Sequence, residues 1–206
     1  NETVAKHVLD NHIPSVFRVH ELPDKEKIEV FNEFINNFGY HLPVTDKPTP
    51  MMFQKLLKKI ENTPEENLIA KLMLRSMQKA RYSEKNLGHF GLAADYYLHF
   101  TSPIRRYPDL LVHRLLRFKE QNNENAIKNW QKRLNELSNQ CSERERVADD
   151  AERDVDDLKK AEYMQNHIGE EFEGIISGVS NTALWVELPN TIEGMIHVTR
   201  LTDDYY

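Results

Sequence analysis

The segment His99-Phe100-Thr101-Ser102-Pro103-Ile104-Arg105-Arg106-Tyr107-Pro108-Asp109-Leu110-Leu111-Val112-His113-Arg114 concentrates the side chains best suited to chemistry. Ser102 followed by Pro103 is a helix-start pair, with the hydroxyl as N-cap and the proline in the first turn. That placement predicts Arg105 and Arg106 in the first helical turn, where the macrodipole disfavours cations. Free backbone N–H groups and guanidinium forks both suit an anion, so the stretch is a candidate phosphate pocket. A capped helix with surface arginines satisfies the same pattern. Pro108 cannot continue an undistorted helix, which predicts a kink or restart near Tyr107. Asp109 and His113, four residues apart, then share a helix face, and Asp109 can orient His113 or reach back to Arg105.

The surrounding chain supplies mostly helices. Residues 2–12 carry Val4, Val8 and Leu9 on one helical face. Residues 14–20 alternate as a short strand would, and Pro23 ends them. Asp24 is placed to cap a helix bearing Ile28, Phe31, Phe34, Ile35 and Phe38, with Gly39 as its stop. Three prolines over 43–50 predict a loop, followed by a helix with Phe53, Leu56, Leu57 and Ile60. Thr63-Pro64-Glu65-Glu66 predicts the start of a helix running through Ala80. From Asn123 to about His167 an apolar stripe runs through Ile127, Trp130, Leu134, Leu137, Cys141, Ala148, Ala151, Val155 and Leu158. It predicts one helix of ~40 residues, roughly 60 Å long, packing along its own domain or against a partner helix. Gly169 breaks that pattern. Residues 172–179, 184–188 and 194–198 then read as three strands. The expected fold class is mainly α, with a truncated small β segment at the C-terminal end.

Composition narrows the function classes. The chain has 206 residues, 39% hydrophobic and 29% charged, with a formal net charge of −6. That balance argues against a uniformly basic nucleic-acid binder, yet a focused site is compatible with it. Between His99 and Lys119, five cations face Asp109 alone, whereas the acids of 143–157 outnumber the bases. No apolar run is long enough to span a bilayer, so no membrane partner is expected. The lone Cys141 fits a reducing compartment and a packed thiol.

A family resemblance rests on these residues. His89-Phe90-Gly91-Leu92, Tyr96-Tyr97, the run from His99 to Asp109, and His113-Arg114 resemble the signature of the RNB family of processive 3′→5′ exoribonucleases. Asn1-Glu2-Thr3-Val4-Ala5 and Ala151-Glu152-Arg153-Asp154 are similar to that family as well. Gly174, Trp185, Glu187, Gly194, His197 and Leu201 resemble the start of the OB-fold RNA-binding domain that follows the RNB domain. The terminal Asp203-Asp204-Tyr205-Tyr206 is similar to the ribonuclease R branch. The resemblance implies a helical C-terminal part of an α+β catalytic domain over 1–167 and an incomplete OB-fold over 168–206.

Its implied activity is magnesium-dependent hydrolysis of single-stranded RNA from the 3′ end to nucleoside 5′-monophosphates, by a cytoplasmic and monomeric parent enzyme. The family's Mg2+ is held by an aspartate cluster with no counterpart in this sequence. The resemblance therefore predicts that this chain binds no metal and is inactive alone. A non-catalytic RNA-binding or helical interaction module is the rival reading. Arg105 matches the family's catalytic-site arginine and would neutralise charge on the phosphoryl oxygens. Ser102, Arg106, Tyr97, Glu152, Trp185 and His197 are candidate RNA contacts. Glu152 would accept from ribose hydroxyls, and Trp185 and His197 would stack on bases. Asp109 and His113 are expected as structural supports of the turn.

Overall fold

The computed structural model describes residues 1–43, 45 and 47–201; the terminal Asp203-Asp204-Tyr205-Tyr206 similarity lies outside them. The elements are α1 (Glu2–Asp10), β1 (Phe17–Val19), α2 (Lys25–Asn36), α3 (Pro50–Ile60), α4 (Glu66–Ser76), β2 (Arg81–Ser83), α5 (Tyr107–Glu120), α6 (Glu124–Gln131), α7 (Leu134–Met164), β3 (Ile175–Val179), β4 (Ala183–Glu187) and β5 (Glu193–His197). The fold is mainly helical with a small C-terminal β segment, as expected, and has a second small sheet, β1-β2. Two compact units divide between Val147 and Ala148, inside α7.

In the first unit, two apolar clusters organise the helices. One gathers Ala5 and Val8 of α1, Phe17 and Val19 of β1, Leu111, Val112 and Leu115 of α5, and Leu134 and Leu137 of α7. Leu98, fully buried, joins the signature segment to this cluster. The other gathers Ile28, Phe31 and Ile35 of α2, Phe53, Leu56 and Ile60 of α3, and Ile69 and Met73 of α4, with Phe90 packed among them. Leu98 and Phe90 thus tie the signature region to both clusters. Each fully buried side chain of this size contributes roughly 1.5–3 kcal/mol.

Local signals place several of these elements. The Asp24 side chain accepts from the Glu26 N–H at 3.1 Å and caps α2, as the sequence predicted. Gly39 adopts φ +80° just beyond that helix. β1 pairs antiparallel with β2, setting Arg18 opposite Tyr82. The predicted strand over 14–20 is shorter than expected, and β2 had no periodic signal of its own.

Three helix boundaries differ from expectation. α4 begins at Glu66 and stops at Ser76, short of Ala80; the Thr63 hydroxyl instead donates to the Ile60 carbonyl at 2.7 Å, closing the end of α3. The single long helix is two, because the chain turns at Lys132–Arg133 and the Arg133 N–H bonds back to the Trp130 carbonyl. The third difference is at the signature itself. α5 begins at Tyr107, not at Pro103. A helix begun at Pro103 would place Pro108 beyond its first turn, where the ring clashes with a preceding carbonyl and an N–H is missing. Starting at Tyr107 leaves Pro108 in the first turn, where neither matters.

The second unit contains the rest of α7 and an antiparallel sheet in the order β3-β4-β5. The later part of the apolar stripe on α7 is exposed, Val155 at 56% and Leu158 at 65%, so there the stripe does not pack along its own domain. In the sheet, Ala183 pairs with His197 and Trp185 with Met195. Strand alternation therefore puts Trp185 and His197 on one face.

Candidate RNA-contact site

Residues 102–106 form a turn rather than a helical start. The Ser102 carbonyl accepts from the N–H groups of Arg105 (3.3 Å) and Arg106 (3.1 Å). Asp109, fully buried at the start of α5, reaches back seven residues and accepts from the Ser102 N–H at 2.8 Å. The same carboxylate takes the Arg106 guanidinium, Nη2 to Oδ1 at 2.9 Å, with Nε 2.9 Å from Oδ2. One turn further along α5, His113 hydrogen-bonds through Nε2 to the Phe100 carbonyl at 2.9 Å and stacks parallel on the Phe100 ring at 4.1 Å. Asp109 and His113 therefore hold two different points of the same segment, and Asp109 does not orient His113.

The consequence is a division between the two arginines. Arg106 is committed to a buried carboxylate. Arg105 is exposed and makes no ion pair or hydrogen bond with its side chain among the described residues. Ile104 beside it is fully exposed. A turn fixed by buried bonds that displays a free guanidinium is suited to a phosphate. The Ser102 hydroxyl makes no hydrogen bond among the described residues, so it is not the predicted N-cap.

Tyr97 is half-buried. Its hydroxyl accepts from Asn1 Nδ2 at 2.9 Å, and Asn1 Oδ1 in turn accepts from the Phe100 N–H at 3.1 Å. Its ring meets the edges of His89 and His99 at 5.4 and 5.8 Å. Tyr96 packs against the first cluster. Sequence reasoning missed the group behind Tyr97. The Tyr82 hydroxyl hydrogen-bonds His99 Nδ1 at 2.9 Å. The Arg18 guanidinium lies over the Tyr82 ring at 4.7 Å and bonds Glu145 at 2.5 Å. Burial is the main cause that lowers His89 and His99 to about 4, so both rings are neutral. Burial and the Glu145 charge push Tyr82 up to about 12. His20 accepts from the Gly91 N–H at 3.0 Å, and burial lowers its pKa too. Arg18 and Glu145 are 127 positions apart, so no local pattern pointed to them.

Glu152, Trp185 and His197 belong to the second unit. Glu152 is exposed on α7. Trp185 is half-buried over Gly178, where an added Cβ would approach Trp185 Cε3 to 3.5 Å. His197 is exposed, with Nδ1 2.9 Å from Thr199 Oγ1. As for metals, no group of three or more His, Cys, Asp or Glu side chains that could hold an ion occurs among the described residues. The acids of 149–157 are exposed around one helix and do not converge. The described residues do not fit a two-metal site. No helix among the described residues is long and apolar enough to cross a membrane.

Comparison with known proteins identifies the family and the fold. Residues 1–122 match the RNB domain. Ribonuclease R 1 of Lactococcus lactis subsp. lactis (strain IL1403) is 46% identical over 209 residues, covering all of this chain and 26% of that protein. The apo form of Mycoplasma genitalium RNase R superposes with a TM-score of 0.95 at 30% identity, covering all of this chain and 33% of that one; its complex with ribose methylated single-stranded RNA gives 0.94. Yeast Ssd1, a pseudonuclease, gives 0.74 at 27% identity over 96% of this chain and 25% of its own. The chain thus spans about a quarter to a third of the length of these relatives. With the domain match covering more than half of its residues, and the signature turn among them, the chain belongs to the RNB ribonuclease family.

Proposed function

We propose that this chain is the helical later part of the catalytic domain, with the first strands of an OB-fold RNA-binding domain from residue 168 on, of a ribonuclease R-like 3′→5′ exoribonuclease. The complete enzyme acts on the 3′ end of single-stranded RNA as a cytoplasmic monomer, uses Mg2+, and releases nucleoside 5′-monophosphates. The observation that carries the reading is the free Arg105 guanidinium, displayed by a turn that Asp109 holds from below. Arg105 contacts the phosphate next to the scissile bond and stabilises its charge in the transition state. Ser102, with its hydroxyl unengaged among the described residues, contacts the same backbone. Arg106 and Tyr97 touch RNA only through atoms left over from their protein bonds. Glu152 accepts from a ribose hydroxyl, and Trp185 and His197 offer one face for base stacking. Support for the RNA partner comes from a relative of this fold solved with single-stranded RNA.

We further propose that the 206-residue chain by itself is inactive, because no stretch of it resembles the aspartate cluster with which the family holds its metal. Incubation with single-stranded RNA and magnesium tests this: no nucleotide release is expected, and release at the rate of a complete enzyme overturns it. A non-catalytic RNA-binding module is the second reading, favoured by the likeness to a pseudonuclease. A full-length protein carrying this chain distinguishes the two, because only the first reading predicts nucleotide release.

A further inference from the structure

We infer that His99 is an additional RNA contact, its Nε2–H donating to a phosphodiester oxygen while the Tyr82 hydroxyl holds the ring from behind. The inference rests on the RNA reading above. His99 opens the signature segment, six positions before Arg105, and is half-buried. Its ring is fixed on two sides by edge contacts, Tyr82 at 5.6 Å and Tyr97 at 5.8 Å. Tyr97 is in turn tied to Asn1, which also holds the Phe100 N–H. The ring therefore sits on the same braced stretch of backbone as the displayed arginine.

Proton placement follows from the Tyr82 bond. Nδ1 is 2.9 Å from the Tyr82 oxygen. Tyr82 is 3% exposed and keeps its proton, and His99 is neutral, so the two groups share one hydrogen bond between a phenol and an imidazole. The phenol is the stronger acid and the imidazole nitrogen the stronger base, so Tyr82 donates and Nδ1 accepts. A neutral imidazole then carries its single proton on Nε2. No protein group among the described residues accepts that N–H, and Nε2 is not among the sealed polar atoms that lack a partner. It is a donor left for something outside the chain.

The charge around the ring identifies the kind of acceptor. The charged groups acting on His99 are Arg106, Arg18 and Asp109, and the two arginines outweigh the aspartate. A neutral donor in a net positive field favours an anionic oxygen. In an RNA-binding reading that oxygen belongs to the phosphodiester backbone, which most nucleic-acid contacts of this type address.

The test uses the 206-residue chain labelled with 15N on its histidine and arginine side chains, titrated with single-stranded octa-adenylate. The His99 Nε2 signal is expected to appear as the protonated nitrogen of a neutral ring and to shift saturably, together with the Arg105 Nε signal. His99→Ala is expected to weaken binding about tenfold, the effect of one hydrogen bond to a charged acceptor. His99→Gln, which can offer an amide N–H in place of Nε2, should recover most of it. An unmoved His99 signal alongside a shifting Arg105 signal overturns the inference and leaves the RNA reading standing. If neither moves, both fall. The titration of the unmodified chain decides even if a variant fails to fold.

Discussion

The Asp109 carboxylate, fully buried, grips Arg106 at 2.9 Å and the Ser102 N–H at 2.8 Å, so that Arg105 one position earlier is left unpaired among the described residues. Two neighbouring arginines of the same type are thereby given opposite fates. The relationship makes the exposed guanidinium depend on a group that never reaches the surface.

Removing that carboxylate should loosen the turn. Asp109→Ala strands the half-buried Arg106 charge and the Ser102 N–H, and we expect a loss of about 2–4 kcal/mol in unfolding free energy. Asp109→Asn keeps an acceptor for Ser102 and should lose less. Urea denaturation of the three proteins checks the order; equal stability of all three would contradict it.

Arg105 should behave in the opposite way. Its exposed side chain makes no hydrogen bond or ion pair among the described residues, so Arg105→Ala should leave the unfolding free energy within about 0.5 kcal/mol of wild type. In a full-length enzyme carrying this chain, the same substitution should lower turnover by about 100-fold or more while changing RNA affinity much less. Single-turnover kinetics and equilibrium binding separate the two effects. Arg105→Lys keeps the charge without the fork and should recover only part of the rate.

Gly91 is required by a close approach. A Cβ there would lie 2.7 Å from His20 Nδ1, the atom that accepts the Gly91 N–H. Gly91→Ala should therefore displace the imidazole and cost about 1–3 kcal/mol. A melting temperature unchanged from wild type would show that His20 yields without penalty.

Acid should weaken the first unit before its carboxylates titrate. His89 and His99 are lowered to about 4 in the folded chain, against about 6.5 when unfolded. Between these values the unfolded state binds more protons, so stability falls as pH falls. The contribution is complete above about pH 6.5 and is lost progressively toward pH 4. Thermal melts across this range should show a declining midpoint, and NMR titration of the two rings should assign it. A midpoint that rises on acidification would contradict the burial of these rings.

Much of the helical framework was legible in the linear pattern. The Asp24 cap, the stop near Gly39, the apolar faces of α2 and α3 and the three strands after Gly169 all depend on neighbours within a few residues. The signature residues and their kinship were legible for the same reason, since covalent order alone carries them. Position along the chain could not reveal which arginine is free. That outcome needs Asp109 to be buried by the packing of α5, which draws Arg106 inward and moves the helix start to Tyr107. Nor could it reveal β2, whose three residues are a strand only because β1 lies beside them. The Tyr82–His99 bond and the Arg18–Glu145 pair are likewise products of tertiary packing. Local sequence sets which side chains an element offers; only the burial of distant partners decides which of them remain unsatisfied and able to meet a ligand.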